Sequence, residues 1–438
     1  MLKKSIGIGL LCLTGQAYAN VNVTTTNDVV ADDKECSLRE AVHYINTYLT
    51  VQSGETDTQK AEREKIAKKG YFGCGGESAT NTILLDQEKE YKLNSEINIT
   101  SALTITSNNN IFGETDQKKG LQNATIKASG RHRLFNIDDN KSEISQIKVN
   151  FDQINLQGCG LTNICADRGG IIFNRESLEL SYSKVSNGYA NEGGAIYNEG
   201  LITGSNTASA GLVTFKFSIF EKNKAAKTGA VLFIGQPLYS IESSLFRENS
   251  VGLSNGSLIY SEVSFDSSTT STDSFTRTAS IINSIFLKNT AYMANLRDGV
   301  FVNNVTAVDN SAGFQFNAPQ GKAHISNSIV AGNNNLDCNY SANDKSLSLA
   351  NLVGSSCNAG EDANRNIYLG SQKLFAGSSS EQESCDRPPA DGLLCPFRTP
   401  ENYFIGYFKP RLLSSYKILG ESPIVNRGRI YRDGRAHV

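Results

Sequence analysis

A short segment recurs along the middle of the chain, and it constrains the fold more than any other feature. Its copies read FSIFEKNKA, SSLFRENSV, NSIFLKNTA, NVTAVDNSA and NSIVAGNNN, beginning at Phe217, Ser243, Asn283, Asn304 and Asn327. Their shared asparagines are separated by 26, 40, 21 and 23 residues. A period in the low twenties, with a short apolar β-rich segment before a turn, predicts a solenoid of stacked strands. The L-x-x-L-x-L series of a leucine-rich repeat does not occur.

Stacking places equivalent residues of successive rungs about 4.8 Å apart. An asparagine at one turn position then forms a ladder, because each amide donates to the next carbonyl. The predicted ladder contains Asn223, Asn249, Asn289, Asn310 and Asn333. A second column, which predicts an interior aromatic stack, contains Phe220, Phe246 and Phe286. The longest gap holds FDSSTTSTDSFTRT, which we interpret as a loop inserted into one rung.

Three glycine-containing turns each precede a short apolar strand. They read DRGGIIFN, NEGGAIYNEG and KTGAVLFIG, from Asp167, Asn191 and Lys227. Glycine permits the positive φ of a tight turn. The turns fit successive rungs of one stack, and three unrelated hairpin turns are the alternative interpretation.

Residues 1–19 have the pattern of a secretory signal peptide. Lys3 and Lys4 precede the apolar stretch IGIGLLCL, and Ala17 and Ala19 form a small-x-small cleavage site. A lipoprotein cleavage at Cys12 is disfavoured, because Leu11 stands where a small residue is needed. No other apolar run is long enough to predict a transmembrane segment in the mature chain.

The segment after the leader predicts a helical lid. Ser37 and Glu40 have the spacing of a capping box, and Leu38, Ala41, Val42 and Ile45 then give one apolar helix face. A solenoid exposes strand edges and core at its ends, so a lid here protects the first rung. TDTQKAEREKIAKKG predicts a second, charged helix that ends at Gly70.

Eight cysteines follow the leader, an even number that favours disulfides in an exported chain. Spacing suggests the local pairs Cys36 with Cys74, Cys159 with Cys165, Cys338 with Cys357, and Cys385 with Cys395. Eight cysteines allow 105 pairings, so connectivity stays open. A metal site is disfavoured, because C-x-x-C is absent and none of the four histidines is near a cysteine.

The heptad CSLREAV resembles the signature of CSLREA-domain proteins, which are exported bacterial right-handed parallel β-helix proteins. The signature residues are Cys36, Ser37, Leu38, Arg39, Glu40 and Ala41. GGAIYN, NSIFLKNTA and SNSIVAGNNNLDC are similar to later rungs of that family, and such rungs also occur in chlamydial polymorphic outer-membrane proteins. The resemblance implies an all-β, single-stranded, right-handed parallel β-helix of the pectin lyase-like type, with an N-terminal α-helical cap.

These observations predict four segments. Residues 1–19 form the signal peptide, 20–110 the N-terminal cap with the first strands, 111–358 the β-helix coils, and 359–438 a C-terminal capping segment. Family members on the cell surface carry a C-terminal Gly-Gly sorting tail, whereas the printed sequence ends in RIYRDGRAHV. Free secretion and anchoring are therefore both left open.

No catalytic, cofactor-binding or metal-binding residue is assigned from the sequence. Asp32-Asp33 and Asp138-Asp139 are interpreted as turn residues without a catalytic partner. Glu221, Arg247 and Glu248 are interpreted as an exposed charged ladder on neighbouring strands. The histidines at 43, 132 and 324 are scattered, and G-x-S-x-G does not occur.

The balance of evidence predicts a non-catalytic interaction, adhesion or display module at the cell surface, at the outer membrane, or outside the cell. Its partners are unidentified, with glycans and envelope or host proteins as candidates. The formal net charge of −2 and the lack of a basic block argue against nucleic acid. A polysaccharide lyase or glycoside hydrolase and an inert envelope spacer are the alternatives. Ligand, substrate and oligomeric state are left open.

Overall fold

The computed structural model describes residues 19–107, 118–141, 147–199, 211–235, 239–261, 279–296, 300–316, 324–340, 348–357, 366–375 and 392–411. Over these residues the chain is an all-β, single-stranded, right-handed parallel β-helix with an N-terminal helical cap. The predicted fold class is therefore confirmed. No helix in these ranges is long and apolar enough to cross a membrane. The inserted-loop sequence FDSSTTSTDSFTRT lies outside the described residues.

The strands form three long parallel sheets, which we name faces 1, 2 and 3 in the order that each rung visits them. Face 1 contains Ala19–Asn22, Ala79–Leu85, Leu103–Ser107, Lys148–Asp152, Ser177–Ser181, Val213–Lys216, Tyr239–Glu242, Ala279–Ile282, Val300–Asn303, His324–Ser326 and Ser348–Leu349. Face 2 contains Glu90–Leu93, Ala124–Ala128, Ile154–Gln157, Lys184–Ser186, Ile219–Glu221, Leu245–Arg247, Ile285–Leu287, Thr306–Val308, Ile329–Val330, Leu352–Val353 and Ile367–Tyr368.

Face 3 closes each rung, and a short fourth sheet lies between faces 2 and 3 along the chain. Face 3 contains Ile97–Ile99, Phe135–Ile137, Ile172–Asn174, Ile196–Asn198, Leu232–Ile234, Ser257–Ser261, Tyr292–Leu296, Phe314–Phe316 and Cys338–Tyr340. The fourth sheet contains Ala166–Arg168, Tyr189–Glu192, Lys224–Thr228 and Ser250–Val251. With about 4.8 Å per rung, the described strands of face 1 extend about 48 Å along the axis.

Along each short strand, side chains point alternately into the core and towards the outer surface. In Ser177–Ser181, for example, Leu178 and Leu180 are fully buried, while Glu179 is partly exposed on the outer surface. Inward residues stack in columns: ring centroids are 5.1 Å apart between Phe220 and Phe246, and 4.6 Å apart between Phe246 and Phe286. The burial of such rings supplies the main driving force for the stack.

Both corners that flank face 2 contain a left-handed residue, and in most rungs a buried serine or asparagine follows it. Before face 2, φ lies between 46° and 56° at Gln153, Tyr182, Phe217, Ser243, Asn283, Asn304, Asn327 and Ala350. After face 2, positive φ recurs at Asn187, Lys222, Glu248, Lys288, Asp309 and Gly332. This conformation turns the chain sharply enough to begin the next face in one residue.

The asparagines Asn223, Asn249, Asn289, Asn310 and Asn333 follow the second corner and lie in a single file. Each side-chain amide donates to the next Oδ1 at 2.9–3.1 Å, and each backbone N–H donates to that same oxygen. The file ends when Asn333 donates to Asp337 Oδ1 at 2.9 Å. All five asparagines are buried, so the ladder satisfies polar groups that water cannot reach.

A second ladder follows the first corner and was not predicted from the sequence. Backbone N–H groups of Ser218 and Ser244 donate to the serine hydroxyl of the next rung, at 3.3 and 3.2 Å. Later in the stack, Ser328 N–H donates to Asn351 Oδ1 at 2.9 Å. Serine at the corner before face 2 and asparagine at the corner after it thus have the same role. The side chain of each accepts a hydrogen bond from a backbone N–H of the preceding rung.

The N-terminal cap begins with the predicted capping box. Ser37 N–H donates to Glu40 Oε2 at 2.8 Å, and Glu40 N–H donates to Ser37 Oγ at 3.2 Å. The helix runs over Leu38–Tyr44 and continues as a π-helical turn over Ile45–Leu49. The buried Glu40 carboxylate also accepts from Ala31 N–H at 2.7 Å, so it organises the segment before the helix as well.

The other signature residues hold this helix against the first rung. Arg39 pairs with Asp28 at 2.8 Å and donates to the carbonyls of Ser95 and Glu96. Leu38 and Ala41 are buried in the core. In this structure, each signature residue has a structural contact within the cap.

Asn46 covers the exposed edge of face 3. Its side-chain amide donates to Asn98 O at 2.9 Å, and its Oδ1 accepts from Thr100 N–H at 3.1 Å. The side chain therefore substitutes for a neighbouring strand at the first strand of the face. The second helix, Asp57–Lys69, has no buried residue and ends before Gly70, as its charged sequence predicted.

Three disulfides are present within the described residues, joining Cys36 to Cys74, Cys159 to Cys165, and Cys338 to Cys357. Cys395 is buried and disulfide-bonded, and Cys385 lies outside the described residues. Residues 1–18 of the predicted signal peptide also lie outside them.

Residues 392–411, which we call the strap, lie against the outer surface of face 2. Antiparallel bridges join Leu394 to Pro410 and Arg398 to Tyr407. A second hydrophobic core forms beneath the strap from Leu287, Val308, Ala331, Leu352, Leu374, Leu393 and Leu394. The strap belongs to the segment 359–438, which the sequence analysis predicted to be a C-terminal capping segment. Its described part covers outward apolar residues along the side of the stack.

Candidate functional site

Two aromatic residues occupy a corner where the neighbouring rungs use smaller, polar ones. Tyr182 and Phe217 each have φ of 46°, a conformation that is rare for bulky side chains. The next rungs place Ser243 and Asn283 at the equivalent position. A bulky residue in this region costs roughly 1–3 kcal/mol, and such strain concentrates at functional sites.

The two rings stack face to face on the outside of the β-helix, and we call this pair the platform. Their centroids are 5.0 Å apart, and their planes differ by 3°. The ammonium of Lys119 lies 4.9 Å from the Tyr182 ring centroid, within the range of a cation–π interaction. The corner therefore offers both an apolar surface and a positive charge.

The tip of the strap completes a cleft over this platform. Tyr182 and Phe217 form one wall, and the other wall is formed by Tyr403, Phe404, Ile405, Gly406 and Tyr407. The cleft has a volume of about 280 Å³, near the lower limit of typical small-molecule sites. Tyr403 and Tyr407 keep 37% and 44% of their surfaces exposed, so a ligand can reach both rings.

Another column of aromatic residues lies on face 3, but its central rings are buried. Phe173, Tyr197, Phe233 and Tyr260 follow one another with centroids 4.6–5.6 Å apart. Tyr197 and Phe233 are only 4% and 3% exposed, and Arg168 lies over the Tyr197 ring. These central rings therefore offer no accessible binding surface.

An acidic cluster lies at the corner between face 3 and face 1. Asp138 and Asp139 follow one face 3 strand, and Glu176 follows the next, so the three carboxylates come from adjacent rungs. One oxygen from each lies within 4.8 Å of the others. Arg175 Nη1 contacts Asp138 at 3.0 Å and also pairs with Glu199.

Burial, with a smaller contribution from the Asp139 charge, raises the pKa of Glu176 above its usual value. Glu176 is 2% exposed and accepts two long hydrogen bonds, from Asp139 N–H and Ile147 N–H, both at 3.3 Å. The site therefore favours a group that neutralises charge, which can be a proton or a cation.

Asp138 and Asp139, which the sequence analysis interpreted as turn residues without a catalytic partner, do take part in turns. Their Oδ1 atoms accept from Asn140 N–H and Lys141 N–H. However, the stacking of rungs also brings Arg175 and Glu176 beside them. These residues are 37 positions away in sequence, and only the register of face 3, which pairs Ile137 with Asn174, juxtaposes them. Asp32 and Asp33 are exposed and precede the first helix of the cap.

The predicted charged ladder is present but less exposed than expected. Glu221 is 7% exposed and pairs with both Lys184 and Arg247. Although burial opposes its ionisation, these two cations hold the pKa of Glu221 below its usual value. Glu248 lies at the adjoining corner and pairs with Lys222 at 3.7 Å.

The histidines do not assemble into a site within the described residues. His43 lies on the cap helix, with its ring centroid 5.0 Å from that of Tyr71, and burial lowers its pKa. His132 Nδ1 lies 2.8 Å from the Arg133 carbonyl oxygen, to which the Nδ1–H tautomer donates. The side chain at 324 lies outside the description.

The geometry defines the class as a parallel β-helix with a surface aromatic cleft. No protein-family model matches the chain, and no curated protein is similar to it. A solved structure, bacteriophage CBA120 tailspike protein 3, matches with 12% sequence identity and a TM-score of 0.24. The match covers 78% of this chain and 62% of the tailspike protein, less than two thirds of its length. Similarity at this level adds no argument about site or substrate.

Proposed function

We propose that this chain is an exported bacterial β-helix protein that acts as a non-catalytic glycan-binding module at the cell surface or outside the cell. The aromatic cleft between Tyr182, Phe217 and the strap is the observation that carries this proposal. The exposed rings of Tyr403 and Tyr407 can pack against the apolar C–H faces of a sugar, and their hydroxyls can hydrogen-bond its polar edge.

The charge beside the cleft narrows the ligand class. Lys119 lies next to the platform, and a carboxylated or sulfated sugar would place its anion near this ammonium. We therefore expect acidic polysaccharides to bind more tightly than neutral ones. Raised ionic strength should weaken that preference, because it screens the interaction.

The proposal includes family membership. The contacts of Cys36, Ser37, Arg39 and Glu40 in the cap give a physical reason for the CSLREA signature, and this supports assignment to the CSLREA-domain proteins. Within that family, the chain resembles rhombotarget A. The division into a signal peptide at 1–19, a cap at 20–110, coils at 111–358 and a C-terminal segment at 359–438 belongs to the same proposal.

The test compares polysaccharide binding by the folded protein and by a double variant, Tyr182→Asn with Phe217→Asn. Asparagine occupies this left-handed corner in other rungs, so the double variant should fold with less backbone strain. We expect it to lose at least about tenfold in affinity, the equivalent of about 1.4 kcal/mol. Ser243→Asn, in the next rung of the same corner, is the matched control and should bind normally.

The alternative functions give different results in the same experiment. A polysaccharide lyase would release unsaturated, ultraviolet-absorbing products, and a hydrolase would release new reducing ends. Such an activity, lost in Glu176→Gln, would replace the binding proposal with catalysis at the acidic cluster. No binding and no turnover across a panel of acidic and neutral polysaccharides would favour an inert spacer. The 2% exposure of Glu176 argues against catalysis, since a polymer cannot reach the carboxylate.

A further inference from the structure

The carboxylates of Asp138, Asp139 and Glu176 lie so close together that their negative charges repel one another unless a proton or a cation is bound. The three ligand oxygens of this acidic cluster lie within 4.8 Å of one another. Two oxygens on opposite sides of a Ca²⁺ ion are about 5 Å apart, because each Ca–O distance is about 2.3–2.6 Å. A single cation can therefore contact all three carboxylates without a large rearrangement.

One buried oxygen in the cluster makes no hydrogen bond. The Asp139 side chain is 2% exposed, and its Oδ2 is buried without a hydrogen-bond partner. The nearest cation is the Lys141 ammonium at 3.5 Å, on a side chain that is 58% exposed. A buried carboxylate oxygen without a hydrogen bond is costly, and an ion at this position would remove that cost.

The local charges also favour a cation. Four carboxylates, those of Asp138, Asp139, Glu176 and Glu199, share the corner with the cations of Arg175 and Lys141, and Arg168 also pairs with Glu199 at 3.4 Å. One negative charge is therefore left without a cationic partner within this group. A cation bound among the three clustered carboxylates would neutralise this charge.

We propose that Asp138, Asp139 and Glu176 bind one Ca²⁺ ion, which joins two adjacent rungs of the β-helix. The oxygen-only ligand set suits a hard cation, and Ca²⁺ tolerates an irregular arrangement better than Mg²⁺ does. Ligands from consecutive rungs make the ion a structural cross-link at the corner of faces 3 and 1. This proposal is independent of glycan binding at the strap.

The test is Ca²⁺ binding to the intact, disulfide-bonded protein by isothermal titration calorimetry. With three protein carboxylates we expect one ion per chain and a Kd of about 10⁻⁴–10⁻³ M, the weak end of protein Ca²⁺ sites. Asp139→Asn should weaken binding at least about tenfold, because it removes the charge of the oxygen that lacks a hydrogen bond. This variant keeps the Oδ1 acceptor for Lys141 N–H, so the turn should survive. Glu248→Gln removes a carboxylate at a different corner and should bind Ca²⁺ normally.

Thermal unfolding followed by circular dichroism gives a second readout. Ca²⁺ should raise the midpoint of the wild-type protein and of Glu248→Gln, relative to a chelator, but should leave Asp139→Asn unchanged. Absence of saturable Ca²⁺ binding to the wild type, or equal binding to Asp139→Asn, would overturn the proposal. It would also fail if Asp139→Asn raised the midpoint equally with Ca²⁺ and with chelator, since the two carboxyls would then share a proton.

Discussion

Replacement of one residue in the middle of the asparagine ladder tests the physical basis of the stack. In the structure, Asn249 donates to Asn289 Oδ1 at 3.0 Å and to Phe220 O at 2.9 Å. It accepts from the backbone N–H and the side-chain amide of Asn223, at 2.9 and 3.1 Å. Asn249→Ala removes all four bonds at a fully buried site. At about 1 kcal/mol each, the free energy of unfolding should fall by about 4 kcal/mol.

Urea denaturation followed by far-ultraviolet circular dichroism measures this loss, and the method suits a chain without tryptophan. The control is Asn335→Ala, which removes an exposed asparagine one turn away from the end of the ladder. We expect the control to change the free energy of unfolding by no more than about 0.5 kcal/mol. Equal effects of the two substitutions would refute the view that the ladder stabilises the stack.

Asn249→Asp separates the donor role from the acceptor role. The carboxylate keeps an acceptor for Asn223 but loses the donor to Asn289, and it adds a buried charge. Burial should raise the pKa of the new carboxyl in the folded state above its unfolded value. The deficit relative to wild type should therefore shrink as pH falls through the folded pKa, because the protonated group can donate again. A deficit that is independent of pH would contradict this reasoning.

Three further outcomes are expected. Glu40→Gln should lower the free energy of unfolding by about 2 kcal/mol in urea, because its NH₂ group must face a backbone N–H. Serine at both Cys36 and Cys74 should cost about 4 kcal/mol, the loop entropy of their 38-residue separation, and reduction of the wild type should reproduce most of it. Glu221 has a lowered pKa, so its pairs with Lys184 and Arg247 stabilise the fold above the unfolded pKa and lose that effect as pH falls through the folded one. Glu221→Gln should therefore be less stable than wild type at pH 7, and acid titration of unfolding should show a smaller decline for the variant.

The sequence predicted the features that repeat. The period of the asparagines predicted a strand solenoid, and the Ser37–Glu40 spacing predicted the cap helix, because both depend on local periodicity. Phe220, Phe246 and Phe286 were placed in one column by the same alignment. Such features depend on residues whose role is the same in every rung.

Features that occur once were harder to predict. Glu176 meets Asp139 only because the rungs have a particular register, and the number of residues per rung varies from one coil to the next. The strap covers Leu287 and Val308 through contacts between distant parts of the chain, for which the sequence carries no periodic signal. The aromatic cleft did leave a signal, since Tyr182 and Phe217 replace the small polar residues used at this corner in later rungs.

The position of the strap has a consequence for how the protein is made. The chain is made from its N-terminus, so the cap and the early rungs are available to fold before the strap is. The outward side chains of Leu287 and Val308 then remain exposed to solvent until Leu393 and Leu394 have been added and can pack over them. The strap is thus among the last parts of the structure to form. Until it does, the exposed apolar residues of face 2 make the partly folded chain prone to aggregation.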